Sequence, residues 1–366
     1  MEPQLPQDPA PPAVPDLTVA PAAPAYKDRS TGLSIYGIVE IILGALAALM
    51  VPFMLLGAVF SRKMAGGPLP AGSYVNGICT YAFVAALLIT LGIGSIRARR
   101  WAWALNLILS WFWLIVGVIA TVAMTIFMPA IFAASFRQAA ARTPDAPVMP
   151  TGVIAVILTF IIVFLSIFFV ILPIAFLLFY RRKDVEETCK QRDPVDRWTD
   201  RCPLPVLAVS LLFGTGAAYY LLLAVTTPLM PFFGRYLTGL AGTAALLAVA
   251  GIDVFLAYAL YRLRLAGWWL AVSALALRMI SSTLTFRGAG LLQAYSKMGW
   301  SETQLQMMSA NPVLRDSSVV LWWSVASMVL FLGYMLWIKR YFSGPAAPGA
   351  AEPEMPYLPS SGGTVL

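Results

Sequence analysis

Three ionisable side chains, Glu40, Asp253 and Arg278, each lie inside a long apolar run. A charge at the centre of a membrane span costs about 2.5–3.5 kcal/mol on insertion scales, so such a residue is expected to face protein or water and to have a partner. At about 1.5 Å per helical residue, Glu40 lies roughly 12 Å from the inner end of its run. Asp253 lies roughly 13 Å from Arg262, and Arg278 roughly 16 Å beyond Gly267. The three share a depth. Asp253 and Arg278 also stand on consecutive antiparallel segments, which makes them an expected ion pair. Arg278, Ser281, Ser282 and Thr285 follow i, i+3, i+4, i+7 spacing and form one polar stripe expected to face the bundle interior.

Two chemistries fit these residues. In the first, one buried pair fixes helix register and the protein is a membrane scaffold or assembly component. In the second, the stripe is a polar pathway and Glu40 a proton or cation site of a small-solute or ion transporter. Glu40, Asp253, Arg278, Ser281, Ser282 and Thr285 together are the candidate intramembrane polar site. A lone carboxylate with hydroxyls does not make a catalytic constellation, so no enzymatic activity is expected.

The rest of the chemistry is marked by absences. The chain has no histidine, which removes His-ligated haem, HExxH zinc sites and His general bases. No Walker loop or dinucleotide fingerprint precedes a helix outside the apolar runs. Cys189 and Cys202 lack a second pair and make a poor zinc site. Neither metal nor cofactor is expected. The net charge of +8 follows loop positions rather than one patch, so nucleic acid is not an expected partner.

The elements that must position these residues follow from composition. Sixty per cent hydrophobic residues against 11% charged, with a mean hydropathy of +0.79, lies outside soluble globular usage. Apolar runs near the roughly 20 residues that cross about 30 Å of hydrocarbon occur at 32–60, 74–96, 101–128, 152–180, 203–225, 236–261, 267–286 and 319–338. The expected fold is an all-α integral membrane protein with eight transmembrane helices. Its lipid bilayer is expected to be the cytoplasmic membrane.

Three landmarks suggest a parallel 4+4 internal repeat. Gly44 with Ala48 and Gly214 with Ala218 place small residues four apart, at an offset of 170, which lets helix backbones approach. Arg97, Arg99 and Trp103 match Arg262, Arg264 and Trp268 at an offset of 165; Arg181 and Arg182 match Lys339 and Arg340 at an offset of 158. By these offsets Glu40 aligns with Ser210, Asp253 with Leu88 and Arg278 with Trp113. The charged set is not repeated. The halves are 32–180 and 203–340, joined by a linker at 181–202 and flanked by tails at 1–31 and 341–366.

Orientation follows the excess of Lys and Arg on cytoplasmic loops. With both termini inside, 16 of the 25 basic residues lie in inner segments and 8 in outer loops, leaving Arg278 in a span. The linker dominates this bias. It carries Arg181, Arg182, Lys183, Cys189, Trp198 and Cys202, and its mixed charges predict a folded elbow or a docking surface for a protein partner. The pairs Arg182 with Glu186 and Glu186 with Lys190 predict that the fourth span continues as a helix to the residue before Pro194. Proline at every third position from Pro3 to Pro15 gives the N-terminal tail a polyproline edge. No signal peptide is expected there, and both tails are expected to be disordered. Ser301 and Gln304 have capping-box spacing ahead of a short outer helix, and "AIFAASFRQAAAR" is its expected counterpart. Trp101, Trp103, Trp268, Trp269 and Trp337 stand at span boundaries, whereas Trp111, Trp113, Trp322 and Trp323 are expected to pack deeper.

Overall fold

The computed structural model describes residues 26–64, 70–142, 151–309 and 317–342; most of both tails lies outside them. Among the described residues, seven helices are long and apolar enough to cross a membrane: Ser30–Phe60, Ala71–Ile96, Arg100–Ile126, Gly152–Tyr180, Leu204–Thr226, Gly239–Tyr261 and Leu265–Gly288. Their outward faces carry bare apolar side chains, such as Phe160 at 71% and Leu240 at 87% exposed. A contiguous apolar surface of that extent suits lipid rather than water. The protein is an all-α, multi-pass membrane protein.

The helices are α1 (Ser30–Met64), α2 (Ala71–Ile96) and α3 (Arg100–Arg142), then α4 (Thr151–Ser166), which passes through a π turn at Ile167–Ile171 into α5 (Leu172–Tyr180). Pro173 lacks the N–H that the Phe169 carbonyl would need, and the π turn just before it absorbs the defect. After α6 (Lys183–Arg192) and a 3₁₀ turn (Trp198–Arg201) come α7 (Leu204–Thr226), strands β1 (Leu229–Phe232) and β2 (Arg235–Thr238), α8 (Gly239–Tyr261) and α9 (Leu265–Gly288). The short α10 (Gly290–Lys297) and α11 (Glu302–Ser309) precede α12 (Ser317–Ile338). Ser301 and Gln304 form their capping box, with the Ser301 N–H 2.9 Å from Gln304 Oε1 and the Gln304 N–H 3.4 Å from Ser301 Oγ.

Small residues set the closest helix contacts. Gly37 of α1 and Gly92 of α2 lie against each other's carbonyls, where an added Cβ on either would stand 2.6 Å from the oxygen. The small pairs expected from spacing do not act this way throughout. Gly44 does meet α2, but Ala48 and Ala218 are exposed, and Gly214 has only an ordinary contact with Ala257.

The corners α2–α3 and α8–α9 are alike. At each, the helix closes with N–H bonds six-to-one and five-to-two: Arg99 to Gly94 and Ala98 to Ser95, and Arg264 to Ala259 and Leu263 to Leu260. This is the Schellman arrangement. Ala98 (φ 48°) and Leu263 (φ 54°) hold its left-handed position without glycine's freedom. At the first corner Gly94 packs on Ala102; at the second Ala259 packs on Gly267. Trp103 Nε1 then donates to the Tyr180 carbonyl at 2.9 Å, and Trp268 Nε1 to the Met335 carbonyl at 2.8 Å.

Several expectations need correction. The fourth span does not run unbroken to Pro194: Arg182 is extended (ψ 134°) and α6 starts afresh, while Glu186 pairs with Lys190 at 2.7 Å. The segment after Met128 forms no separate surface helix, because α3 continues to Arg142, 43 residues or about 65 Å. The ends of both expected tails pack: Arg29 bonds α6, and Phe342 belongs to an apolar core with Met335 and Ile338. Trp111 and Trp322 are 47% and 72% exposed rather than deeply packed. A β-hairpin interrupts the helical chain between α7 and α8.

Candidate functional site

The expected pair between Asp253 of α8 and Arg278 of α9 is present and two-pronged. Arg278 Nη1 donates to Asp253 Oδ2 at 3.0 Å and Nη2 donates to Oδ1. The Asp253 side chain is 2% exposed and the Arg278 side chain 17%. The cation also lies over the Tyr220 ring of α7, with Cζ 5.7 Å from the centroid. Fork-on-carboxylate geometry is the strongest form of such a pair, and it ties three helices together at one depth.

The polar stripe does different work at the far end of α9. The β1–β2 turn consists of Phe233 (φ 40°) and Gly234 (φ 94°), both left-handed, as a two-residue hairpin of the primed class requires. The Phe233 N–H donates to Ser281 Oγ at 3.0 Å and the Gly234 N–H to Thr285 Oγ1 at 3.1 Å. Ser281 Oγ in turn donates to the Pro231 carbonyl at 3.2 Å, and Thr285 Oγ1 to the Ser281 carbonyl at 2.8 Å. The buried hydroxyls of Ser281 and Thr285 therefore hold the hairpin. Ser282 is outside this set and partly exposed.

Glu40 joins neither group. It is 1% exposed and meets residues of α2, α3 and α5. Asn106 Nδ2 donates to Glu40 Oε2 at 3.2 Å and to Tyr180 Oη at 3.1 Å. Tyr180 Oη lies 3.4 Å from Glu40 Oε1 and 2.6 Å from Ser95 Oγ, and Ser95 Oγ donates to the Leu33 carbonyl at 3.1 Å. Ser110 Oγ donates to the Asn106 backbone carbonyl at 2.6 Å. Asn106 Oδ1 is buried without a hydrogen-bond partner. No ion pair among the described residues includes Glu40.

The linker docks on one end of the bundle by its charges. The Arg29 N–H donates to Thr188 Oγ1 at 3.1 Å and its guanidinium to Asp184 at 3.3 Å, while Arg192 reaches Asp28 at 3.2 Å. Asp193, 2% exposed, accepts from Arg197 at 2.7 and 3.1 Å, from Arg99 at 3.5 Å and from the Arg100 N–H at 3.3 Å. The Arg197 guanidinium holds the Asp193 carboxyl below the usual carboxylate range. Arg100 continues the network to Asp196 at 3.0 Å and Asp200 at 3.5 Å.

Arg181, Arg182 and Lys183 are exposed at the same end, and the Trp198 carbonyl accepts from Tyr261 Oη at 2.9 Å. Cys189 and Cys202 are free thiols buried in different apolar clusters. Burial pushes both up to about 12, which leaves them protonated and unreactive at neutral pH.

Five of the six candidate intramembrane residues thus separate into a pair, a hairpin receptor and a Glu40 cluster, and Ser282 joins none of them. Sequence reasoning missed Ser95, Asn106 and Tyr180. Asn106 carried a readable signal, an amide inside an apolar run; Tyr180 stood only as the last residue of the fourth apolar run, and it does end α5. Compared with protein-family models, curated proteins and solved structures, the chain matches none of them.

Proposed function

We propose that the protein is a membrane scaffold or assembly component of a cytoplasmic membrane, with eight spans in two parallel four-helix halves and both termini cytoplasmic. One observation carries the scaffold reading: Asp253, Arg278, Ser281 and Thr285 of α8 and α9 are bonded within the fold. Asp253 is matched by Arg278, and Ser281 and Thr285 are engaged by the hairpin. That leaves them structural work rather than a solute path. The length of α3, about 65 Å, supports the same reading, since it exceeds the roughly 40–45 Å bilayer including headgroups and offers a helical extension beyond Pro129 for a partner.

The eighth span corresponds to α12, 22 residues from Ser317. The two like corners, with their matching tryptophan bonds, support the repeat. Orientation rests on the distribution of basic residues, with the docked linker on the inner side. The rival reading, a transporter, is favoured by the Glu40 cluster alone. Purification from native membranes separates the two readings. A stoichiometric partner with no solute flux in liposomes is the expected result, and a flux abolished by Glu40→Gln in folded protein would overturn it.

A further inference from the structure

We propose that Glu40, with Asn106, Tyr180 and Ser95, forms a proton-binding site in the first half of the bundle. The two halves supply an internal comparison, which rests on the parallel-repeat reading above. At the places corresponding to Glu40, Ser95 and Asn106 the second half has Ser210, Leu260 and Ala271, by the offsets of 170 and 165. By the offset of 158 Tyr180 corresponds to Ile338, the last residue of α12, and the carbonyl that Trp268 bonds is that of Met335, one turn earlier. Leu260, Ala271, Met335 and Ile338 are all 0% exposed and share one apolar core. Local contacts agree with the alignment: Glu40 Cβ lies 3.2 Å from the place where a Cβ on Gly92 would stand, and Ser210 Oγ donates to Ala257, the counterpart of Gly92, at 2.7 Å. The same architecture therefore packs without a carboxyl group there, and burying one unnecessarily is unfavourable.

The hydrogen-bond pattern points to the proton as ligand. Of the elements packed against Glu40, α2 presents Ser95, α3 presents Asn106 and α5 presents Tyr180. Tyr180 is the one titratable group bonded to it; no Lys or Arg among the described residues pairs with it.

The Ser95 and Tyr180 hydroxyls have two consistent orientations relative to Glu40. If Ser95 donates to Leu33, Tyr180 donates over the 2.6 Å contact to Ser95. Tyr180 Oη is then left to accept from Asn106 and from a protonated Glu40, which fills both of its lone pairs. If Glu40 loses its proton, Tyr180 turns to donate to the carboxylate and Ser95 turns to donate to Tyr180, releasing the Leu33 carbonyl to its place in the α1 backbone ladder. Proton uptake and release thus reverse the Ser95–Tyr180–Glu40 chain with the loss of one bond, from Ser95 to the Leu33 carbonyl. The unpartnered Asn106 Oδ1 gives the site a further buried acceptor, which a rotated amide brings to the position now 3.2 Å from Glu40 Oε2.

The test is infrared spectroscopy of the reconstituted full-length protein across pH, comparing wild type with Glu40→Gln and Tyr180→Phe. The wild type should show the C=O stretch of a protonated carboxylic acid that is missing from Glu40→Gln. Raising pH should convert it reversibly to carboxylate bands, with no effect of sodium. Tyr180→Phe keeps the carboxyl group and removes its hydroxyl neighbour, so it should move both band frequency and midpoint. A Glu40 band unchanged over the whole pH range of the folded protein would overturn the proposal, as would a sodium-dependent conversion. Because the readout is protonation, it is independent of any partner or flux. Failure of the scaffold reading would leave it standing.

Discussion

Changing Asp253 to Asn removes the counter-charge of Arg278 and leaves a guanidinium whose remaining neighbour is the Tyr220 ring. An unmatched charge at a span centre costs about 2.5–3.5 kcal/mol, and breaking a buried pair by removing one partner costs about 3–5 kcal/mol. The Arg278 side chain is 17% exposed and can relax toward polar surroundings, which favours the lower end. A loss of about 3 kcal/mol is expected, or roughly two orders of magnitude in the folded-to-unfolded ratio. Arg278→Gln should cost a similar amount. The double change removes both charges, so its loss should fall to about half that of either single change or less. Equilibrium unfolding in mixed micelles, followed by far-ultraviolet circular dichroism, measures all four proteins. If the double variant loses the sum of the two singles, the pair is not an energetic unit and the reasoning fails.

At the α2–α3 corner, Gly94→Ala should cost about 1–3 kcal/mol by overpacking, because its Cβ would stand 2.7 Å from that of Ala102. Adding Ala102→Gly should restore most of the loss, since Ala259 and Gly267 already carry that arrangement at α8–α9; no rescue in the same unfolding assay would count against the repeat. Cys189 and Cys202, with thiols raised to about 12, should resist maleimide at neutral pH until the protein is unfolded, as mass spectrometry would report. Asp193, held low by Arg197, should stabilise linker docking above the usual carboxylate range, and that contribution should disappear as pH falls through its folded value. Faster proteolytic nicking of 181–202 in acid, and in Asp193→Asn near neutral pH, is the expected result. Single cysteines beside Asp193, in a cysteine-free background, should be protected from impermeant thiol reagents in intact cells, whereas one at Ser301 should label; the reverse pattern would invert the assigned orientation.

Spacing alone determined the membrane class, the apolar helices, the Asp253–Arg278 pair and the Ser301 capping box. The first, second and fourth depend on hydropathy or on neighbours a few residues apart; the pair, 25 residues apart, was legible because two consecutive antiparallel spans bring both residues to one depth. The partition of the polar residues was decided only in the tertiary structure. Glu40 lies 66 and 140 residues from its bonded partners Asn106 and Tyr180, and no helical period relates them. The stripe on α9 was legible as a stripe, but its occupant was not. A two-residue turn with Phe233 in the left-handed region carries a weak local signal, and the Ser281 and Thr285 hydroxyls that accept its N–H groups come from a helix about 50 residues later. Mixed charge marked the linker as something other than a basic anchor, yet its docking required the α2–α3 corner to present Arg99 and Arg100 to Asp193 across more than 90 residues of chain. Long-range polar pairing is set by how helices pack, and the apolar pattern that drives those helices together does not identify which buried polar groups will meet.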